Sequence, residues 1–190
     1  MDMKKVLAAV CAAASLALAA CSDAPEPAAD PPPSSGSVTT SASPASPAPD
    51  PGGTGETPQT LRFTATTVDG KTFDAAALAG KPAVLWFWAA WCPRCRGDAA
   101  EIRDLQQQYA GKAGVVGVAG LGSGAAAMKD FVADYRLDGF PQLADDAGKV
   151  WQRFEVPSQH YYVILDSSGK VAHSGPLTVA QLKQKVDGLL

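Results

Sequence analysis

The stretch "AVLWFWAAWCPRCRGD", Ala83 to Asp98, decides the architecture. Six consecutive apolar residues, Ala83 to Trp88, follow Pro82 without a polar break. Such a run reads as a strand buried on both faces of a sheet. Cys92 and Cys95 come straight after it, and Pro93 between them suits the first turn of a helix. Helix formers continue from about Arg94 to Tyr109, with Ile102, Leu105 and Tyr109 on one face. The cysteine pair therefore sits where a buried strand hands over to a helix. There the unpaired N–H groups and the macrodipole stabilise a Cys92 thiolate, the species that attacks disulfides. Cys95 lies about one turn on, within reach of an intramolecular disulfide. Arg94 adds a positive charge next to the Cys92 sulfur.

Working outward, "LRFTATTVDGKTF" places Asp69-Gly70 between two β-type runs, a hairpin signal. A second buried strand is predicted over Val115 to Ala119 and a helix over Ala125 to Tyr135. "FPQLAD" is a short strand candidate, and Ala147 to Phe154 a short helix. "HYYVILD", "DSSGK" and "KVAHSG" read as strand, turn and returning strand. Thr178 N-caps a last amphipathic helix carrying Val179, Leu182, Val186 and Leu189. Strand–helix alternation closed by a hairpin predicts an α/β three-layer sandwich around a mixed sheet, with an N-terminal β-hairpin extension.

Before this domain, composition changes. "MDMKK" and the apolar "VLAAVCAAASLAL" have the charge and length of a signal peptide, too short to span a bilayer. The segment ends in "LAAC", which resembles a bacterial lipobox; that likeness implies cleavage before Cys21 and a lipid on its sulfur. Residues 1–20 are thus expected to be a lipoprotein signal peptide. Residues 21–59 are expected to be a lipidated cysteine and a disordered tether, because ten of the 15 prolines fall there beside Ala, Ser, Gly and Thr. A coil of that length reaches on the order of 35 Å. Residues 60–190 form the expected globular domain.

Cysteine arithmetic narrows the chemistry. Of four cysteines, Cys11 falls in the signal and Cys21 in the lipobox, which leaves Cys92 and Cys95. A structural zinc site wants four ligands, and the two histidines, His160 and His173, have no ligand spacing between them. No metal site and no cofactor is expected; a Cu(I) carrier using both cysteines and one histidine is the surviving metal alternative. A purely structural disulfide closing so short a loop constrains the unfolded chain little. The formal net charge of -3 excludes a basic nucleic-acid surface.

"FWAAWCPRC" resembles the active site of the thioredoxin superfamily. The hairpin before "KPAVLWFWAAWC", with "VPSQHYYVILDSSGKV" after it, is similar to the TlpA/ResA/DsbE-like branch. The whole of Leu61 to Leu190 is similar to DsbE/DsbF-like secreted or lipid-anchored proteins of mycobacteria. The resemblance implies a thioredoxin-like fold and thiol-disulfide oxidoreductase activity. It implies that Pro157, after Val156, is a cis-proline facing the disulfide, with Val156 pairing to an extended substrate. Asp98, one turn after Cys95, stands where the branch often carries a proton-handling acid, usually Glu. Trp91 is expected to be a flat apolar platform for substrate, and Trp86 and Trp88 core packing. Two departures stand out. Ala100 replaces a helix-kinking proline, and Trp86 replaces the buried aspartate that carries protons in thioredoxin.

Direction of electron flow rests on Pro93-Arg94. A stabilised Cys92 thiolate stabilises the reduced enzyme and favours oxidase behaviour. The mycobacterial likeness points the same way, whereas the wider branch implies a reductase serving cytochrome c maturation. The expected partners are exported proteins with thiols or disulfides, and a membrane redox partner that resets the pair. The expected location is the extracytoplasmic face of the cell membrane, held by the lipid alone, as a monomer. A peroxide-reductase reading fails on "AAWC", which lacks the threonine-containing motif of peroxiredoxins.

Overall fold

A computed structural model describes residues 56–190. The signal-like segment, Cys21 and the tether up to residue 55 lie outside the described residues. Glu56 and Thr57 are already tied to Arg62 of the domain, by a side-chain pair and by a 2.8 Å bond to the Thr57 carbonyl.

The central sheet has five strands: β3 (Ala83–Trp88), β4 (Gly114–Ala119), β5 (Gln142–Ala144), β6 (Tyr161–Leu165) and β7 (Val171–Gly175). Their order is β5-β4-β3-β6-β7, with β3 central. Pairing of β3 with β4 and of β4 with β5 is parallel; pairing of β3 with β6 and of β6 with β7 is antiparallel. The hairpin at Asp69-Gly70 joins β1 (Thr64–Thr66) to β2 (Thr72–Asp74) in a separate two-stranded sheet. Gly70 adopts φ +85°, the left-handed conformation such a turn needs. The hairpin reaches the edge strand β5, because Val68 N–H donates to the Gln142 carbonyl at 2.7 Å. An exposed edge is thereby covered.

Four helices complete the layers: α1 (Pro93–Gln108), α2 (Ala125–Asp134), α3 (Lys149–Arg153) and α4 (Val179–Asp187). Side chains of β3 alternate between two cores, as a strand buried on both faces requires. Val84, Trp86 and Trp88 join α1, α2 and α4. Ala83, Leu85 and Phe87 join α3 and two 3₁₀ turns, Gln59–Leu61 and Ala75–Leu78. The sequence pattern does not reveal those short turns, since each holds too few residues to show a period. Thr178 caps α4 through a capping box with Gln181. With Ala100 in place of a proline, α1 runs unbroken for 16 residues.

One buried polar pair fixes the packing under the active site. The Trp88 indole donates to Gln142 Oε1 at 3.1 Å, and Gln142 Nε2 donates to the Leu137 carbonyl at 3.1 Å. Gly117 makes room for it, because a Cβ there would lie 1.9 Å from Gln142 Oε1 and 2.8 Å from Trp88 Nε1. Phe131 stacks on Trp88 with ring centroids 4.3 Å apart. Gly117→Ala is therefore expected to cost about 1–3 kcal/mol through overpacking, more if the Trp88–Gln142 bond breaks. Urea denaturation measures it, and an unchanged midpoint contradicts the packing argument.

At the far end of α1, the Tyr109 hydroxyl donates to Asp187 of α4. Burial, and then the Asp187 carboxylate, push the Tyr109 hydroxyl up to about 12. An unfolded tyrosine ionises near 10, so between those values the folded chain holds the extra proton. Stability is expected to fall as pH rises from about 10 to 12, and Tyr109→Phe to flatten that fall in thermal melts.

Candidate active site

Cys92 N-caps α1 and Pro93 occupies its first turn. The two cysteines form a disulfide, with Cα atoms 5.3 Å apart. Cys95 N–H donates to Cys92 Sγ at 3.1 Å, so a helix-start donor is aimed at that sulfur. Cys92 keeps 2% of its surface exposed and Cys95 none. Attack from outside thus falls on Cys92.

The corner between β3 and α1 is clamped by side chains that sequence reading does not single out. Ala90 N–H donates to Ser123 Oγ at 3.0 Å. The Ala90 carbonyl accepts two bonds from Arg96, from Nε at 3.0 Å and Nη2 at 2.7 Å. Ser123 in turn donates to the Gly120 carbonyl at 2.6 Å. Asp146 holds the N–H groups of Ser123 and Gly124 at 3.0 and 2.8 Å, fastening the start of α2. Its neighbour Asp145 accepts three backbone bonds at the start of α3, from Lys149, Val150 and Trp151. A signal was present in "DD" before a helix and in "S-G" before another, but the partner Ala90 is remote in sequence.

Of the sequence-derived residues, Trp91 is 49% exposed beside Cys92, and its indole donates to the Leu121 carbonyl at 3.1 Å. Leu121 is itself exposed and sits at φ +55°, a conformation unusual for a non-glycine residue. Arg94 is exposed and has no salt bridge or side-chain hydrogen bond among the described residues. Arg96 is the arginine engaged with the corner.

Asp98 lies one turn after Cys95 and its Oδ2 accepts the Tyr162 hydroxyl at 2.9 Å. The same oxygen is 2.8 Å from His160 Nε2. Register explains the meeting. Trp86 of β3 pairs with Tyr162 of β6, and both point into the core that α1 covers. Burial, then the Asp98 charge and that of Glu101, hold the Tyr162 hydroxyl far above the ordinary phenol range.

Pro157 is exposed and Val156 half-buried against the α3 core. The residue of that loop that bonds to the active-site helix is His160, directly before β6, at φ +57°. Pro157 is singled out by the family resemblance; His160 and Tyr162 carry no spacing signal toward Asp98. Among the described residues no group of three or more His, Cys, Asp or Glu is placed to hold a metal ion.

Residues 58–174 match the AhpC/TSA family. The chain belongs to this family. The soluble secreted antigen MPT53 of Mycobacterium tuberculosis is 41% identical over 130 residues, spanning 67% of this chain and 72% of that protein. The structure of M. tuberculosis dsbF in mixed oxidised and reduced forms gives a TM-score of 0.66 at 40% identity, covering 71% of this chain and 100% of that one. A secreted M. tuberculosis disulfide oxidoreductase homologous to E. coli DsbE gives 0.62 at 36%, covering 69% and 98%. With a bonded cysteine pair at the head of α1, this AhpC/TSA member is a thiol-disulfide oxidoreductase of thioredoxin-like fold.

Ser123→Ala and Arg96→Leu each unfasten one end of Ala90. Each is expected to cost about 1–2 kcal/mol and to speed amide exchange at Ala90 to Cys92. Exchange rates identical to the parent in both variants would show the clamp to be idle.

Proposed function

We propose that the chain is an oxidase that introduces disulfides into exported proteins. The observation that carries this reading is the Cys95 N–H aimed at Cys92 Sγ at the helix N-terminus, with Arg94, unpaired among the described residues, two positions on from Cys92. In the reduced protein the same donor and cation stabilise a Cys92 thiolate, and a stable thiolate makes the disulfide form oxidising. The similarity to secreted mycobacterial disulfide oxidoreductases supports it.

The exchange runs in two steps. A client thiolate attacks Cys92 Sγ; the Cys92–Cys95 bond breaks, and Cys95 leaves with its electron pair and takes up a proton. A second client thiolate then attacks the client sulfur of the mixed disulfide and expels Cys92 as a thiolate. The client loses two electrons and the enzyme pair gains them. A membrane redox partner takes these two electrons and restores the Cys92–Cys95 bond.

Clients dock on the apolar surface of Trp91 and Leu121, with Val156 and Pro157 facing them. The protein works as a monomer on the extracytoplasmic side, anchored by lipid on Cys21 and carried on the 21–59 tether.

The test is oxidation of a reduced, unfolded protein, with the Cys92/Cys95 potential measured in glutathione buffers. Oxidation should vanish in Cys92→Ser, and Cys95→Ser should trap the mixed disulfide. Arg94→Glu should move the potential on the order of 30 mV toward reducing values. A parent potential near about -270 mV, that of thioredoxin, assigns the chain to reduction instead. Undiminished oxidation by Cys92→Ser would sink the redox assignment altogether.

A further inference from the structure

We propose that His160, acting through Asp98, moves the proton that Cys95 takes up and gives back during exchange. The inference rests on the oxidoreductase reading of the Cys92–Cys95 pair and concerns how its buried half is served.

Cys95 is wholly buried, so its thiolate and thiol forms interconvert out of contact with bulk water. A thiolate formed there needs a proton donor at hand, and a thiol needs a base. Trp86 offers neither on β3, since an indole N–H does not exchange protons in this range. The group one helical turn from Cys95 is Asp98, on the same side of α1. Its Oδ2 is engaged by both His160 and Tyr162. One carboxylate oxygen is thus held, and the other makes no hydrogen bond among the described residues.

The two holders differ in kind. Tyr162 stays protonated, because burial comes first and then the charges of Asp98 and Glu101 oppose its ionisation. It is a fixed donor that orients Asp98. His160 is an imidazole, the side chain suited to exchange protons between pH 5 and 8. Its side chain is 15% exposed and that of Asp98 23%, so both reach solvent and the imidazole stands at the carboxylate as a neighbouring proton carrier. The ionisable groups identified around it are Asp98 on α1 and Tyr162 on β6, whose rings and bonds it meets, and Glu101, whose charge reaches Tyr162. The left-handed backbone at His160 is a conformation that a non-glycine residue rarely adopts. It is found at the residue that delivers the ring to α1.

In the oxidising direction the proton balance closes as follows. The Cys92–Cys95 bond breaks and its electron pair stays on Cys95 Sγ. Asp98 gives that sulfur a proton, His160 imidazolium reprotonates Asp98, and water reprotonates His160. In reverse, the Cys95 thiol passes its proton to Asp98 and on to His160. The resulting thiolate attacks Cys92 Sγ in a mixed disulfide and expels the other sulfur as a thiolate.

The full chain, reduced, is mixed with an excess of 5,5′-dithiobis(2-nitrobenzoate). Attack by Cys92 releases one thionitrobenzoate; resolution by Cys95 releases the second. Both phases are followed from pH 5 to 8. His160→Phe is expected to slow the second phase on the order of tenfold and to flatten its pH dependence, leaving the first phase unchanged. His160→Gln keeps an N–H donor but cannot exchange a proton at these pH values, and is expected to leave the second phase slow. Full rescue by His160→Gln would overturn the proton role and reduce His160 to a holder of Asp98. An unchanged second phase in His160→Phe, with the parent melting temperature, would overturn the proposal while leaving the redox reading intact. Absence of a second release in the parent would count against the redox reading itself. Should His160→Phe fail to fold, the Gln variant alone decides, by its pH profile.

Discussion

Ala90 is gripped at both of its backbone groups, by the Ser123 hydroxyl and by the Arg96 guanidinium. The rest of the site hangs on that grip. It sets where β3 stops and α1 begins, and so where Cys92 can sit as N-cap. A strand buried on both faces has no freedom to shift, because its side chains fill two cores at once. The corner that follows it is buried too, at Ala89, Ala90 and Cys92, but its backbone polar groups need partners. Side chains from the loop after β4 and from the first turn of α1 supply them. The Asp145-Asp146 pair extends the same restraint to the starts of α2 and α3.

Beneath the corner, polarity and packing are traded against each other. Trp88 lies in a fully apolar cluster, yet its indole nitrogen needs a partner. Gln142 provides it, and Gly117 gives up a side chain so that the two can meet. Trp86 is treated differently: its buried indole N–H has no partner among the described residues. Polar chemistry on this face is carried one strand over, by Tyr162, and from above by Asp98. The carboxylate on this face thus comes from the helix and not from β3.

Much of this was legible in the sequence, for physical reasons that differ by element. Ala83–Trp88 announced itself by an unbroken apolar run, Asp69-Gly70 by turn chemistry, and α4 by Thr178 and its apolar spacing. Local patterns of that sort report which face is buried. The two 3₁₀ turns were not legible, because three or four residues carry no period. At the site, Cys92 and Cys95 were visible as a pair with fixed spacing, and Asp98, one turn on, through the family resemblance. Ser123, Arg96, His160 and Tyr162 were not, since each earns its role through a contact across the fold. Pro157 is singled out by the family resemblance, and His160, three residues on, is the residue whose contact with α1 only the fold reveals.

The exposed Trp91 has a consequence for observing this protein in solution. Trp86, Trp88 and Trp151 are buried, whereas Trp91 stands half in water beside the cysteine pair, tethered to the Leu121 carbonyl. The indole emission therefore divides into a shielded component and one water-facing component next to the sulfurs. The second has reason to change colour when another chain covers that surface, while Trp86 and Trp88 share a core cluster with the cysteines and can report on the sulfurs from within. The protein carries its own optical reporters, with no label needed.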